Sequence, residues 1–243
     1  MKKTLVFLCA ILIMNLAVSA SSLLESGKPE RTFVVGVRAG FNSSNVSNNF
    51  TTSVENMMWA HNEWKSGFTV GAVVDINLTN FFAIQPGAYL QKRRSDYKNL
   101  VLDEAGAEMQ CIEGERHSNF FQIPILASLR LTLSKDVKGV VDFGPYFAFG
   151  FGGKDKGTIT LVDTGVVGVR ENPYKNDYFG EDGSYRSYDW GFKMGGGLLV
   201  QSKYYVGFHY DLGCRNAHRP IPLAKKEISG RNKAWNFTIG YNF

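Results

Sequence analysis

The chain has 243 residues and a formal net charge of +5. It combines abundant glycine and aromatic residues with a modest charged fraction, which suits an all-β protein rich in turns. Removing an N-terminal leader that holds Lys2 and Lys3 leaves +3, too small a surplus to argue for nucleic acid.

Met1 to Ala20 reads as a signal peptide. Lys2 and Lys3 form the basic region, Leu5 to Val18 the apolar stretch, and Val18-Ser19-Ala20 the small-residue cleavage site. The apolar stretch is short for a membrane span and is broken by Asn15. Residues 21–32 read as a periplasmic linker, and residues 33–243 as one β-barrel domain.

Eight segments alternate with period two, so each has one apolar face and one small or polar face. The first is Phe33 to Phe41, followed by a polar stretch, Asn42 to Lys65, that reads as a loop. The second and third, Phe68 to Leu78 and Phe81 to Gln91, join at a tight turn. Arg93 to His117 reads as another long loop. The fourth, Phe120 to Thr132, and fifth, Val140 to Phe151, flank a short turn starting at Ser134. Gly152 to Arg186 reads as the longest loop. The sixth, Tyr188 to Gln201, and seventh, Tyr204 to Gly213, flank a turn at Ser202-Lys203. After a fourth loop, Cys214 to Arg231, the eighth runs from Asn232 to Phe243. Pro86, Pro124 and Pro145 cannot donate to a ladder and read as bulge positions.

The connections alternate long and short, as in outer-membrane barrels with tight periplasmic turns and large outer loops. The uncharged faces carry bulky Phe, Trp, Tyr and Leu, too large for the lumen of an eight-stranded barrel. The opposite faces carry Arg38, Asp75, Gln85, Arg130, Asp142, Asp189, Lys193, His209 and Asp211 among glycines. A lipocalin-like barrel would place these faces the other way round. The expected fold is therefore an all-β, eight-stranded antiparallel transmembrane barrel in the cell outer membrane. Its partner is lipid, and no cofactor is implied. Trp235, Phe237, Ile239, Tyr241 and Phe243 on the last strand resemble the C-terminal signal read by the barrel-assembly machinery.

Turn lengths suggest two luminal charge pairs. Leu133 set opposite Gly139 puts Arg130 opposite Asp142, and Val200 set opposite Tyr204 puts Lys193 opposite Asp211. Charges in a narrow lumen need partners. Cys111 and Cys214 fall in two outer loops. An oxidising compartment permits a disulfide between them, and two thiols are the other outcome. His209 and Asp211, with Asp189 near, could form a hydrolase dyad, but paired structural charges account for them more simply. His61, His117 and His218 lack a metal-ligand spacing.

The segments Gly36-Val37-Arg38-Ala39-Gly40-Phe41-Asn42, Phe82 to Lys92, Phe121-Gln122-Ile123-Pro124 and Ile239-Gly240-Tyr241-Asn242-Phe243 resemble the PorT-type outer-membrane barrels of Bacteroidota. The likeness implies a non-enzymatic barrel that assists type IX secretion, the export of large proteins such as proteases, with other secretion components as partners. A structural barrel or small passive pore is the alternative, and a membrane-embedded enzyme a more distant one.

Overall fold

A computed structural model describes residues 24, 27–49, 57–102, 108–162, 169–179, 183, 185–219 and 229–243. The leader, residues 1–20, lies outside them. The strands are β1 (Phe33–Asn49), β2 (Met57–Asn77), β3 (Phe82–Leu102), β4 (Glu108–Ser134), β5 (Val137–Val162), β6 (Val169–Asp177), β7 (Tyr188–Val200), β8 (Tyr204–Gly213) and β9 (Ser229–Asn242). All pairings are antiparallel. The order β4-β3-β2-β1-β9-β8-β7-β5, closed by β4–β5, makes a ring, and β6 hangs on the outer end of β5 alone. Closure leaves no ladder edge in the ring, which a bilayer requires.

The barrel is inside-out. Phe33, Val35, Val37 and Phe41 are exposed on β1, as are Val141, Phe143, Phe147 and Phe149 on β5. Asp75, Asp142, Asp189, Lys193, His209 and Asp211 are buried. Rings stack across strands on the outer face, Phe143 on Phe192 at 5.7 Å and Phe208 on Trp235 at 5.0 Å. Such cross-strand aromatic pairs hold register on a surface that lipid covers.

Inside, glycines make room for rings. A Cβ at Gly71 would collide with the Tyr89 ring, and one at Gly207 with the Tyr205 ring. Tyr89, Tyr146 and Tyr205 are buried in the lumen, which their bulk helps to fill.

Three stretches read as loops hold strand. β1 and β2 run on through much of 42–65, and β3 and β4 through most of 93–117. β5 continues to Val162, and β6 occupies part of the stretch read as the longest loop. Above the membrane the outer face meets water instead of lipid, so its apolar character disappears while the ladder continues. The prolines are not bulges either. Pro86 pairs with Ile125, Pro124 with Tyr146 and Pro145 with Phe192, and the register is the same on both sides of each. The irregularities lie at Lys65/Phe68, Val101/Leu102, Ser118/Phe120 and Thr132/Ser134.

Candidate functional site

The lumen is a stack of polar clusters, described from the periplasmic end outward. At the floor, Arg130 Nη2 lies 2.8 Å from Asp75 Oδ2, and Arg130 Nη1 donates to Asn77 Oδ1 at 2.7 Å. Gln85 Nε2 donates to the second Asp75 oxygen at 2.6 Å. Arg130 therefore does not pair with Asp142. The Lys135–Asp136 hairpin is a two-residue turn that sets Ser134 opposite Val137, and Leu133 is bulged out. Arg130 then faces Val140, and Asp142 faces Ser128. The slip of two keeps every face and changes every partner.

Asp142 instead meets His209, with Oδ2 at 2.9 Å from Nε2, and accepts from the Tyr205 hydroxyl at 3.3 Å. The Arg38 guanidinium lies 4.4 Å from the centre of the Tyr205 ring. His209 is thus engaged with Asp142, not Asp211, so no His209–Asp211 dyad forms.

Asp211 belongs to the next cluster. Lys193 sits opposite it across β7 and β8, with Nζ 2.7 Å from Asp211 Oδ1. Gln122 Nε2 donates to Asp211 Oδ2 at 3.0 Å, and Arg93 Nη2 lies 3.5 Å from the same oxygen. Arg93 also donates from Nε and Nη2 to Gln91 Oε1, at 3.0 and 2.8 Å, and lies 4.7 Å from the Phe120 ring centre. Its Nη1 is 3.9 Å from Asp189 Oδ2. Asp189 Oδ2 accepts from the Tyr146 hydroxyl at 3.2 Å and from Asn232 Nδ2 at 3.1 Å. Arg93 ties the two carboxylates together from β3, in a stretch whose outward residues are polar and so resemble a loop. The alternation Gln91, Arg93, Ser95, Tyr97, Asn99, all buried, was the signal.

The outer mouth is capped by segments that fold back over it. Val46, Tyr178, Tyr185 and Ala217 form a buried cluster, and Phe179 packs edge-on against Phe120 at 5.4 Å. Arg116 stacks 3.6 Å from the Tyr97 ring centre and lies 3.3 Å from Asp155 Oδ2, while the Tyr97 hydroxyl donates to Asp155 Oδ1 at 2.7 Å. Burial raises the Asp155 pKa, and Arg116 opposes the shift. Tyr185 bridges to His218, and their rings pack at a tilt, 4.8 Å between centres.

Burial holds the His218 pKa down at about 4, with the Arg116 charge adding to the effect. A histidine lowered in the fold is stabilising when neutral, so its contribution is complete above the ordinary value of 6.5. That contribution falls away as pH drops from 6.5 towards 4. The cap is expected to loosen over this window, read as faster amide exchange at 214–219, and His218→Gln should flatten the profile.

No disulfide joins Cys111 and Cys214. Cys111 lies on β4 between Leu100 and Thr160, whereas Cys214 follows β8 and its amide bonds to Trp190. The two strands are not neighbours in the sheet. Cys111 Sγ donates to Glu113 Oε1 at 3.5 Å, and Cys214 Sγ to Leu212 O at 3.9 Å. Trp235, Phe237 and Ile239 are exposed on the outer face of β9, Phe243 is exposed just after it, and Tyr241 packs edge-on with Phe243. Among the described residues, no group of three or more His, Cys, Asp or Glu side chains is placed to hold a metal.

A closed antiparallel ring, apolar outside and charged inside, is an integral outer-membrane β-barrel. The family model for the outer membrane protein beta-barrel domain matches residues 20–219, and the chain belongs to that family. No curated protein sequence matches it. Among solved structures, it is similar to Ail, the attachment invasion locus protein of Yersinia pestis, at 12% identity and a TM-score of 0.37, over 88% of this chain and 100% of that one. It is similar to Neisserial surface protein A at 11% identity and a TM-score of 0.36, over 88% of this chain and 98% of the other. Outer membrane protein W of E. coli is 14% identical with a TM-score of 0.34, over 88% and 100% of the two chains.

Proposed function

We propose that this outer-membrane barrel assists protein secretion without catalysis, as its resemblance to PorT-type barrels implies. The observation that carries the reading is the filled lumen. Arg93, Tyr146, Lys193 and Asp211 are buried across its middle, and the outer mouth is capped by Tyr178, Tyr185 and Ala217. A barrel occupied by its own side chains works through its surfaces, and the same filling argues against a passive pore. The β1–β5 extensions offer such a surface outside the cell, and the turns offer one in the periplasm. The aromatic face of β9 is the segment for the assembly machinery to read. Deletion of the gene, followed by assay of secreted proteases, tests the reading. Lost or unprocessed proteases are expected. Normal export from a deletion strain with an intact outer membrane would leave a structural barrel.

A further inference from the structure

The periplasmic mouth holds a cavity of about 410 Å³. Its floor is Arg130 with Asp75 and Asn77, and its wall is the N-terminal segment Pro29 to Arg31. That segment is pinned across the mouth, because Asn77 N donates to Thr32 O at 2.8 Å and Asn80 N to Gly27 O at 3.2 Å. Lys135 reaches the rim from the β4–β5 turn, Lys138 from the start of β5 and Lys203 from the β7–β8 turn.

The charge is unbalanced. Asp75 is committed to Arg130, and Glu30 is the other acidic side chain in the lining. Among the described residues, Lys135, Lys138 and Lys203 make no ion pair. Arg130 is mostly buried and binds through both terminal nitrogens, yet its Nε has no hydrogen-bond partner among the described residues. That nitrogen is closed off from solvent, so the cations left to meet a ligand are the three lysines at the rim.

The β7–β8 turn departs from ordinary hairpin chemistry at the same place. Gln201 and Ser202 have φ of 52° and 56°, and Lys203 N donates to Val200 O at 3.0 Å. A turn with both central residues left-handed favours Asn-Gly. Gln201 and Ser202 keep polar side chains at a conformational cost, and both line the cavity.

We infer that the periplasmic mouth is a binding site for an acidic peptide segment, whose carboxylates meet Lys135, Lys138 and Lys203 at the rim. The lysines stand at separate hairpins around the rim. A compact anion needs donors that converge on one point, whereas spaced carboxylates on an extended chain suit cations spaced around a rim. The cavity volume is within the range of small-ligand sites, and its lining is too polar for an acyl chain. The inference does not rest on the secretion reading, since the binding is measured on the purified barrel.

The test is fluorescence anisotropy of labelled hexaglutamate and hexaglutamine with the full-length protein in detergent. Hexaglutamate should bind in a salt-sensitive manner and hexaglutamine should not. Lys135→Gln/Lys138→Gln/Lys203→Gln, checked for heat-modifiable mobility, should weaken binding by about tenfold or more. Lys156→Gln, on the opposite side of the membrane, should leave it unchanged. Equal binding of the two peptides by the unaltered protein would overturn the proposal, as would full binding by the triple variant. Displacement by inorganic phosphate as effective as that by the peptide would replace the peptide site with a compact-anion site.

Discussion

Asp211→Asn is expected to destabilise the barrel by about 3–5 kcal/mol, because it leaves two buried cations with too little countercharge. Asp211 is fully buried and touches Lys193, Arg93 and Gln122. The asparagine keeps the shape and one acceptor, so the loss reports charge more than packing. Urea titration followed by heat-modifiable mobility should show the folded form lost at lower denaturant. The double variant Lys193→Met/Asp211→Leu should recover part of the loss, since it removes both charges of the closest pair. Arg93 would remain with Asp189 alone, which is why recovery is partial.

Val37→Arg is expected to cost about 2–4 kcal/mol, the cost of a basic side chain on the lipid face near the midplane. Val37 is exposed on β1, midway between Phe33 and Phe41 on the same face. The same substitution in a water-soluble sheet would be nearly neutral at so exposed a position. Reversible folding into phospholipid vesicles measures the difference. Ser47→Arg, on the extension of β1 above the membrane, should cost little by comparison.

The faces of the barrel were legible because lipid and lumen demand opposite chemistry at alternate residues. Phe237 and Asn236, or Phe208 and His209, declare their sides without any structure. The length of the strands was not legible. Beyond Phe41 or Gln91 the outer face turns polar, and Arg94, Asp96 and Lys98 look like loop residues although they sit in a continuous ladder. β6 carries Pro173 and mostly polar residues, and nothing in its sequence separates it from a coil.

Register was legible only where no bulge lies beside the turn. The β7–β8 hairpin closes through Val200 and Tyr204 without a bulge, and the structure sets Lys193 opposite Asp211. The β4–β5 hairpin hides a bulge at Leu133, a residue that looks like any other apolar strand position. That single residue sends Arg130 to Asp75 and leaves Asp142 to His209. The luminal charges were identifiable as a set, but their partners depend on turns that the alternation does not encode.

Nitroxide labels placed singly at Val37, Val141 and Val206, with the protein reconstituted in phospholipid vesicles, test the inside-out barrel most directly. All three residues are exposed on the outer face, on strands spread around the ring. Molecular oxygen, which concentrates in lipid, should relax the labels strongly, and a water-soluble nickel chelate should scarcely reach them. Strong relaxation by the chelate with little effect of oxygen would place these faces in water and contradict the membrane barrel.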